Sequence, residues 1–383
     1  MAEPFKNMIG PALVGHLGRH LTRVWPRFRR EAFRRRALRG LDALELKARV
    51  AQVAGALEEF LPADFAAAAD VLEATLAPPR TDADLSALVP GDHGLAGAPI
   101  WPMTDFVARC GLVDPERALQ ALHAMTQRHT AEFAIRPFLR EHPAQAWAAL
   151  RRWVNDPSPH VRRLVSEGSR PRLPWGEVLQ ALIVDPSPTL PLLEQLQDDP
   201  SDYVRRSVAN HLNDIAKDHP EVVADWIARH VGGADKQRLA LLQRAGRTLI
   251  KRGHRGVLGA FGCGAALRGD ASLTIAPAVA RVGDELQIAV ALASRARKSQ
   301  RLVVDYVVHQ VRSRGLPSRK VWKGWVVDLA AGERRELARR HSLRAVTTRR
   351  DHPGWHAVEL LVNGRVVAAS GYELRAGAAA RRR

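Results

Sequence analysis

The chain has little cysteine and no long apolar run. Its 383 residues include only two cysteines, Cys110 and Cys263, which lie far apart and form no CxxC pair. Zinc clusters and disulfide frameworks need several cysteines at short spacings, so the sequence argues against both. No apolar run reaches the ~18 residues of a membrane span, and the N-terminus lacks the apolar core of a signal peptide. We therefore expect a cytoplasmic protein without membrane attachment.

Several common enzyme motifs are also missing. The sequence has no Walker A loop, no GxSxG nucleophile elbow and no HExxH zinc motif. The glycine-rich run at 259–269 follows no convincing strand of a βαβ unit, and we interpret it as a linker. These absences leave no signal for nucleotide-dependent, serine-hydrolase or zinc-protease chemistry.

The chain does carry a large excess of positive charge. It has 58 Lys and Arg against 40 Asp and Glu, a formal charge of +18, and 50 of its 58 cations are arginines. Cations on this scale favour a polyanionic partner, because they neutralise phosphates and release counterions. An anionic membrane surface is the weaker alternative, since no basic amphipathic helix with a wide apolar face stands out.

The first two-thirds of the chain has a helical pattern. Segments 44–61 and 220–231 place apolar residues at i, i+3, i+4 and i+7. A repeat lies within this region: DPSPHVRRLVSEGS begins at Asp156, and DPSDYVRRSVANHLND begins 43 residues later at Asp199. That period is typical of HEAT or armadillo units, which are helix pairs that must stack to bury their apolar faces. We predict an α-helical HEAT-like repeat solenoid over residues 1–268.

The last third changes to short segments rich in β-branched and aromatic residues, such as 354–374. Asn363-Gly364 is a strong hairpin signal. About seven short strands over roughly 100 residues predict an all-β Ig-like sandwich. We place this second domain at 269–383 and expect its basic end, Ala378–Arg383, to be frayed.

One face of the first repeat helix carries mixed charges. Arg163, Glu167 and Arg170 are spaced four and three residues apart and share that face. One interpretation is an ordinary solvated helix surface with ion pairs between its side chains. A carboxylate would lower the affinity of this face for a polyanion such as DNA, however, and this favours a second interpretation. In the second interpretation, Glu167 stabilises positive charge on a cationic base or an oxocarbenium-like sugar.

The segment that follows this helix adds Arg172 and Trp175. Arg170 and Arg172 could clamp phosphates. Trp175 is either an anchor between helices or an exposed aromatic face that contacts a nucleotide or cationic base.

The second repeat places Arg206, Asn210 and Asp214 four residues apart on the matching face. Stacking would bring this polar row beside the first on a concave surface, where solenoids bind their partners. Asp214, like Glu167, is a carboxylate among cations.

A third carboxylate, Glu132, lies in the apolar stretch 126–139 and should find a partner. If Glu132 is structural, that partner would be Arg128 or Arg136. Otherwise Glu132 is an active-site carboxylate.

Long segments of the chain resemble a known family. TQRHTAEFAIRPFL (126–139), HVRRLVSEGSRPRLPW (160–175) and SVANHLNDIAKDHP (207–220) resemble characteristic segments of the AlkC branch of the HEAT-like repeat DNA glycosylases. RRHSLRAVTTRRDHPGWHAVELLVNG (339–364) is similar to the Ig-like domain that many members carry. The resemblance covers nearly the whole chain.

This resemblance implies an enzyme that excises 3-methyladenine and related cationic bases from double-stranded DNA, leaving an abasic site, with no metal, cofactor or base flipping. It assigns three carboxylates, two arginines and a tryptophan to the site: Glu132, Glu167, Asp214, Arg163, Arg170 and Trp175. No lysine is among these six residues, so we expect a monofunctional glycosylase. We also expect a monomer with no obligate protein partner. The competing hypothesis is a non-catalytic HEAT-repeat scaffold that binds DNA or protein.

Overall fold

The computed structural model describes residues 4–79, 88–314, 316–345 and 352–375. The predicted frayed tail, Ala378–Arg383, lies outside them. Helices occupy the chain up to Ala260. In chain order they are α1 (Pro11–Val24), α2 (Arg30–Leu38), α3 (Leu46–Phe60), α4 (Phe65–Ala74), α5 (Ile100–Cys110), α6 (Pro115–Thr126), α7 (Arg136–Glu141), α8 (Pro143–Trp153), α9 (Pro159–Gly168), α10 (Gln180–Val184), α11 (Leu190–Leu196), α12 (Asp202–Asp218), α13 (Pro220–His230), α14 (Lys236–Ala245), α15 (Arg247–Arg252) and α16 (Arg255–Ala260).

The two sequence repeats begin their helices in the same way. The carboxylates of Asp156 and Asp199 each accept a hydrogen bond from the amide two residues on, at 2.8 Å in both cases. Each aspartate thus closes a turn just before α9 or α12. Proline at the first position of α9 fits because that amide has no partner within the helix.

α12 buries one apolar face, as its sequence spacing predicts. Its inward side chains are at most 1% exposed: Val204, Val208, Leu212 and Ile215. α12 contacts α9 on one side and α14 on the other. Its polar face is therefore shared between two inter-helix grooves.

The chain divides into two compact units. One comprises Met1–Asp218 and Lys236–Ala245, and the other comprises His219–Asp235 and Gly246–Arg383. The helices α9, α12 and α14 all belong to the first unit. No helix of the described residues is long and apolar enough to cross a membrane.

The strands of the second unit form two sheets, in the orders β1-β3-β6 and β2-β8-β7-β4-β5. The strands are β1 (Gly269–Ala276), β2 (Val279–Arg281), β3 (Glu285–Ser294), β4 (Gln300–Gln310), β5 (Ser318–Leu329), β6 (Arg334–Ser342), β7 (Gly354–Val362) and β8 (Arg365–Arg375). Within the described residues they pair antiparallel, apart from β2, which pairs parallel to β8. Alternate side chains from both sheets share one core, which includes Ile288, Tyr306 and Leu360.

The predicted hairpin at Asn363-Gly364 is confirmed. These two residues link β7 to β8 with φ of 48° and 75°. Both lie in the left-handed region that a tight hairpin turn requires, which explains the Asn-Gly pair.

Candidate active site

Six side chains of alternating charge form a continuous row in the first unit. Their ion pairs measure, in order along the row, 2.5, 3.5, 2.6, 2.7 and 2.8 Å. We call this row the charge cluster; its members are Glu132, Arg163, Glu167, Arg170, Asp214 and Lys217. Three carboxylates thus face three cations. The sequence predicted five of the six, and Lys217 is new.

Glu132 lies at one end of the cluster. Its Oε2 pairs with Nη1 of Arg163 at 2.5 Å and accepts a hydrogen bond from Oγ1 of Thr130 at 2.8 Å. The suggestion that Arg128 or Arg136 would be its structural partner is wrong. Both of those arginines donate to backbone carbonyls instead, because carbonyls near helix ends and in connecting segments also need donors.

Glu167 occupies the centre of the cluster and its side chain is 8% exposed. Oε1 lies 2.6 Å from Nη1 of Arg170 and 3.5 Å from Nη2 of Arg163, while Oε2 accepts a 2.6 Å hydrogen bond from Ser207. Burial alone would raise the pKa of Glu167. The two guanidinium groups and the hydroxyl outweigh it and hold that pKa below its ordinary value. Glu167 is therefore ionised at neutral pH.

Asp214 is the most deeply buried carboxylate of the cluster, with 2% of its side chain exposed. Its Oδ2 accepts from Nε and Nη2 of Arg170 at 2.8 and 2.7 Å, and its Oδ1 lies 2.8 Å from Nζ of Lys217. Arg170 uses its third nitrogen on Glu167. Arg170 therefore holds two carboxylates in place, and its phosphate contact stays a prediction.

Trp175 stands on the loop after α9 with 63% of its surface exposed. The reading of Trp175 as an anchor between helices is therefore wrong. Its φ of 64° is in the left-handed region, which costs energy for a bulky residue. The ammonium of Lys47 donates a hydrogen bond to the backbone carbonyl of Trp175. On the same loop, Arg172 forms a bidentate ion pair with Asp218, with distances of 2.8 and 2.9 Å. These contacts hold the loop in a strained, exposed form.

Asp214 joins the second predicted polar row to the cluster, whereas Arg206 pairs outside the cluster. Arg206 is 54% exposed and pairs with Asp202 at 3.1 Å, and Asn210 is half-buried on α12. The reason is the helical rotation of about 100° per residue, which turns Arg206 about 80° away from Asp214 over eight residues.

Sequence reasoning missed two further contacts from α12. The guanidinium carbon of Arg163 lies 5.0 Å from the ring centroid of Tyr203, a cation–π distance. Ser207 bonds Glu167, as described above. A signal was present, because Tyr203, Ser207 and Asp214 are spaced four and seven apart and share one helix face.

Two buried histidines beside the cluster, His129 and His211, are neutral at neutral pH. Burial, reinforced by Arg163, lowers the pKa of His129 to about 4. Burial, reinforced by Arg170, lowers the pKa of His211 to about 3. The charged groups available for chemistry are thus the carboxylates and their cations. Such buried carboxylates can stabilise a developing positive charge far better than exposed ones.

Comparison with known proteins places this geometry in a family. Residues 123–243 match the family described as DNA alkylation repair enzyme, and residues 270–376 match the C-terminal Ig-like domain of YhaZ. The Bacillus subtilis (strain 168) protein, named "Uncharacterized protein YhaZ", is 34% identical over 366 residues, 94% of this chain and 96% of its own. A solved structure of Pseudomonas fluorescens alkylpurine DNA glycosylase AlkC, bound to DNA containing an abasic site analog, is 34% identical with a TM-score of 0.88. The match covers 97% of this chain and all of that one.

The chain belongs to the AlkC family. The match to the DNA alkylation repair family spans every member of the charge cluster and Trp175. The Ig-like match covers the two sheets from Asp270, the second residue of β1, through the end of β8. Within the parts of this AlkC-family chain that the structure describes, no group of three or more His, Cys, Asp or Glu could hold a metal ion.

Proposed function

We propose that this protein is a DNA glycosylase of base excision repair. It hydrolyses the N-glycosidic bond of cationic alkylated bases in double-stranded DNA, chiefly 3-methyladenine, and leaves an abasic site. The single observation that carries the proposal is Glu167, a buried carboxylate kept ionised between Arg163 and Arg170. The family membership supports the same reaction.

Because the alkylated base is already cationic, its removal depends more on carboxylates that stabilise positive charge than on a general acid that protonates the base. N3-alkylation puts positive charge on adenine, so the glycosidic electron pair leaves onto an already electron-poor base. As the bond breaks, positive charge develops on the sugar, and a fixed anion stabilises it. Water then bonds to the anomeric carbon and gives up a proton to the solvent, and the free base departs neutral.

We infer different roles for the three carboxylates from how deeply each is buried. Glu167 and Glu132, which are 8% and 12% exposed, stabilise the charge and orient the water. Asp214, at 2% exposure, acts through Arg170. Arg163 lies between Glu132 and Glu167, and its guanidinium group stacks over the ring of Tyr203.

Trp175 supplies an aromatic face outside the cluster. Because it is exposed on a pre-formed loop, it can contact the deoxyribose of a lesion that stays in the duplex. This supports excision without base flipping. We also propose that the helices form a HEAT-like repeat solenoid, supported by the shared Asp-Pro-Ser starts of α9 and α12.

The site favours simple hydrolysis over a lyase step. Lys217 is the lysine of the charge cluster, and its ammonium is paired with Asp214. An amine held in an ion pair with a carboxylate is not free to attack the abasic sugar as a nucleophile. The product should therefore be an intact abasic strand.

The proposal is tested by incubating the protein with methylated and with unmethylated genomic DNA. Released bases are identified by chromatography coupled to mass spectrometry. We expect 3-methyladenine from the methylated DNA alone, without strand cleavage. Salt-sensitive duplex binding with no released base would instead favour a non-catalytic DNA-binding protein.

A further inference from the structure

A second charged groove lies beside the charge cluster in the same compact unit. It runs between α12 and α14 and encloses about 410 Å³. Ser207 and Asp214 point to the α9 side of α12, whereas Arg206 is turned about 100° from Ser207 because it is the adjacent residue. The groove is therefore separate from the cluster but borders it along one helix.

The groove is strongly cationic. Four of its lining residues are basic and one is acidic: Arg205, Arg206, Lys236, Arg244 and Asp202. The small side chains of Ala209 and Ala240 line the space between the two helices. A groove with this lining can admit an anion and surround it with positive charge.

The basic residues differ in what they can offer a ligand. Arg205 is 8% exposed, and its guanidinium donates to the carbonyl of Pro200 at 2.9 Å, so it is structural. Arg206 is 54% exposed, and its partner Asp202 is 66% exposed. Such surface pairs are weak and screened by salt, so a phosphate can replace Asp202. Lys236 is exposed on the facing helix.

We propose that this groove binds the backbone phosphates of the DNA strand next to the lesion, with Arg206 and Lys236 as the main contacts. The proposal rests on the proposed function, which makes DNA the partner. An arginine fork suits the two free oxygens of a phosphodiester. Phosphate contacts of this kind set the register of a protein on DNA without reading its sequence, which would place the lesion over the neighbouring cluster.

The test is the double variant Arg206→Gln/Lys236→Gln, compared with Arg34→Gln/Arg35→Gln. The control removes the same charge from exposed positions on α2. Binding to a duplex containing an abasic-site analogue is titrated across a salt series. Base release is measured separately at saturating methylated DNA.

We expect the groove variant to bind at least ten-fold more weakly at low salt. The slope of log affinity against log salt should become shallower by about one for each phosphate that the variant no longer neutralises. The control should keep both the slope and the maximal base release of the wild-type protein. The conservative double variant Arg206→Lys/Lys236→Arg should restore most of the affinity, which separates a charge effect from misfolding.

An unchanged affinity and slope in a folded groove variant would overturn the proposal. So would competition for the groove by poly-glutamate but not by a short oligonucleotide, because that result would indicate an acidic protein partner. Failure of the proposed function gives a different result. In that case the wild-type protein releases no base, while the groove variant still loses salt-dependent binding.

Discussion

Ser207 donates a 2.6 Å hydrogen bond from its Oγ to Oε2 of Glu167, although 40 residues separate them in the chain. The hydroxyl is buried and also meets Oγ of Ser166 at 3.0 Å. Oε1 of Glu167 is meanwhile held by two guanidinium groups. Ser207 thus fixes the orientation of the carboxylate from the side opposite its cations and favours its ionised form.

Ser207→Ala should slow base release by about one to two orders of magnitude, because a hydrogen bond to a buried charge contributes about 1.5–3 kcal/mol. The Ser207 hydroxyl favours the ionised form of Glu167, so removing this donor also raises the pKa of Glu167. The ionised form is the active one, so activity is lost as pH falls through that pKa. The acid limb of the single-turnover pH profile should therefore move to higher pH.

Ser207→Thr is the matched control for this variant. It keeps the hydroxyl, and we expect it to restore both the rate and the position of the acid limb. If Ser207→Ala and wild-type protein had the same acid limb, Ser207 would be a packing residue only.

Asp214→Asn should act mainly on stability. It leaves the Arg170 guanidinium, 7% exposed, without one of its two carboxylates. Losing one member of a buried ion pair costs about 3–5 kcal/mol. Denaturant unfolding of Asp218→Asn provides the comparison. Asp218 lies on the same helix and pairs with the more exposed Arg172, so its loss should cost less stability than the loss of Asp214. Equal losses in the two variants would argue against the buried positioning role of Asp214.

Substitutions of Trp175 should separate function from stability. Its side chain is exposed and its backbone is left-handed. Trp175→Gly should therefore be about 1 kcal/mol more stable than Trp175→Ala, because glycine adopts this conformation without strain. Both variants should release base at least ten-fold more slowly than Trp175→Phe, which keeps an aromatic face. Rapid release by Trp175→Ala would exclude a role for the ring at the lesion.

The sequence predicted what depends on local spacing. Arg163, Glu167 and Arg170 meet because residues three and four apart are neighbours on a helix. The Asn363-Gly364 turn was also predictable, because it depends on the two adjacent residues that form it.

Contacts between helices were harder to predict, because they depend on how one helix is rotated against the next. The pair Arg170–Asp214 spans 44 residues and Glu132 pairs with Arg163 across 31 positions. Local spacing pointed to the wrong arginines for Glu132. Ser207 carries no charge, so its place on the same helix face as Asp214 was the signal that the sequence offered for it.

The most direct test of the central claim is single-turnover release of 3-methyladenine from a methylated duplex by wild-type protein and by Glu167→Gln. Glutamine keeps the shape of Glu167 but removes the anion. We expect release to fall by at least two orders of magnitude while affinity for the duplex, measured in the same buffer, stays equal or tightens. Undiminished release by Glu167→Gln, or an equal fall in binding and release, would contradict the catalytic role of this carboxylate.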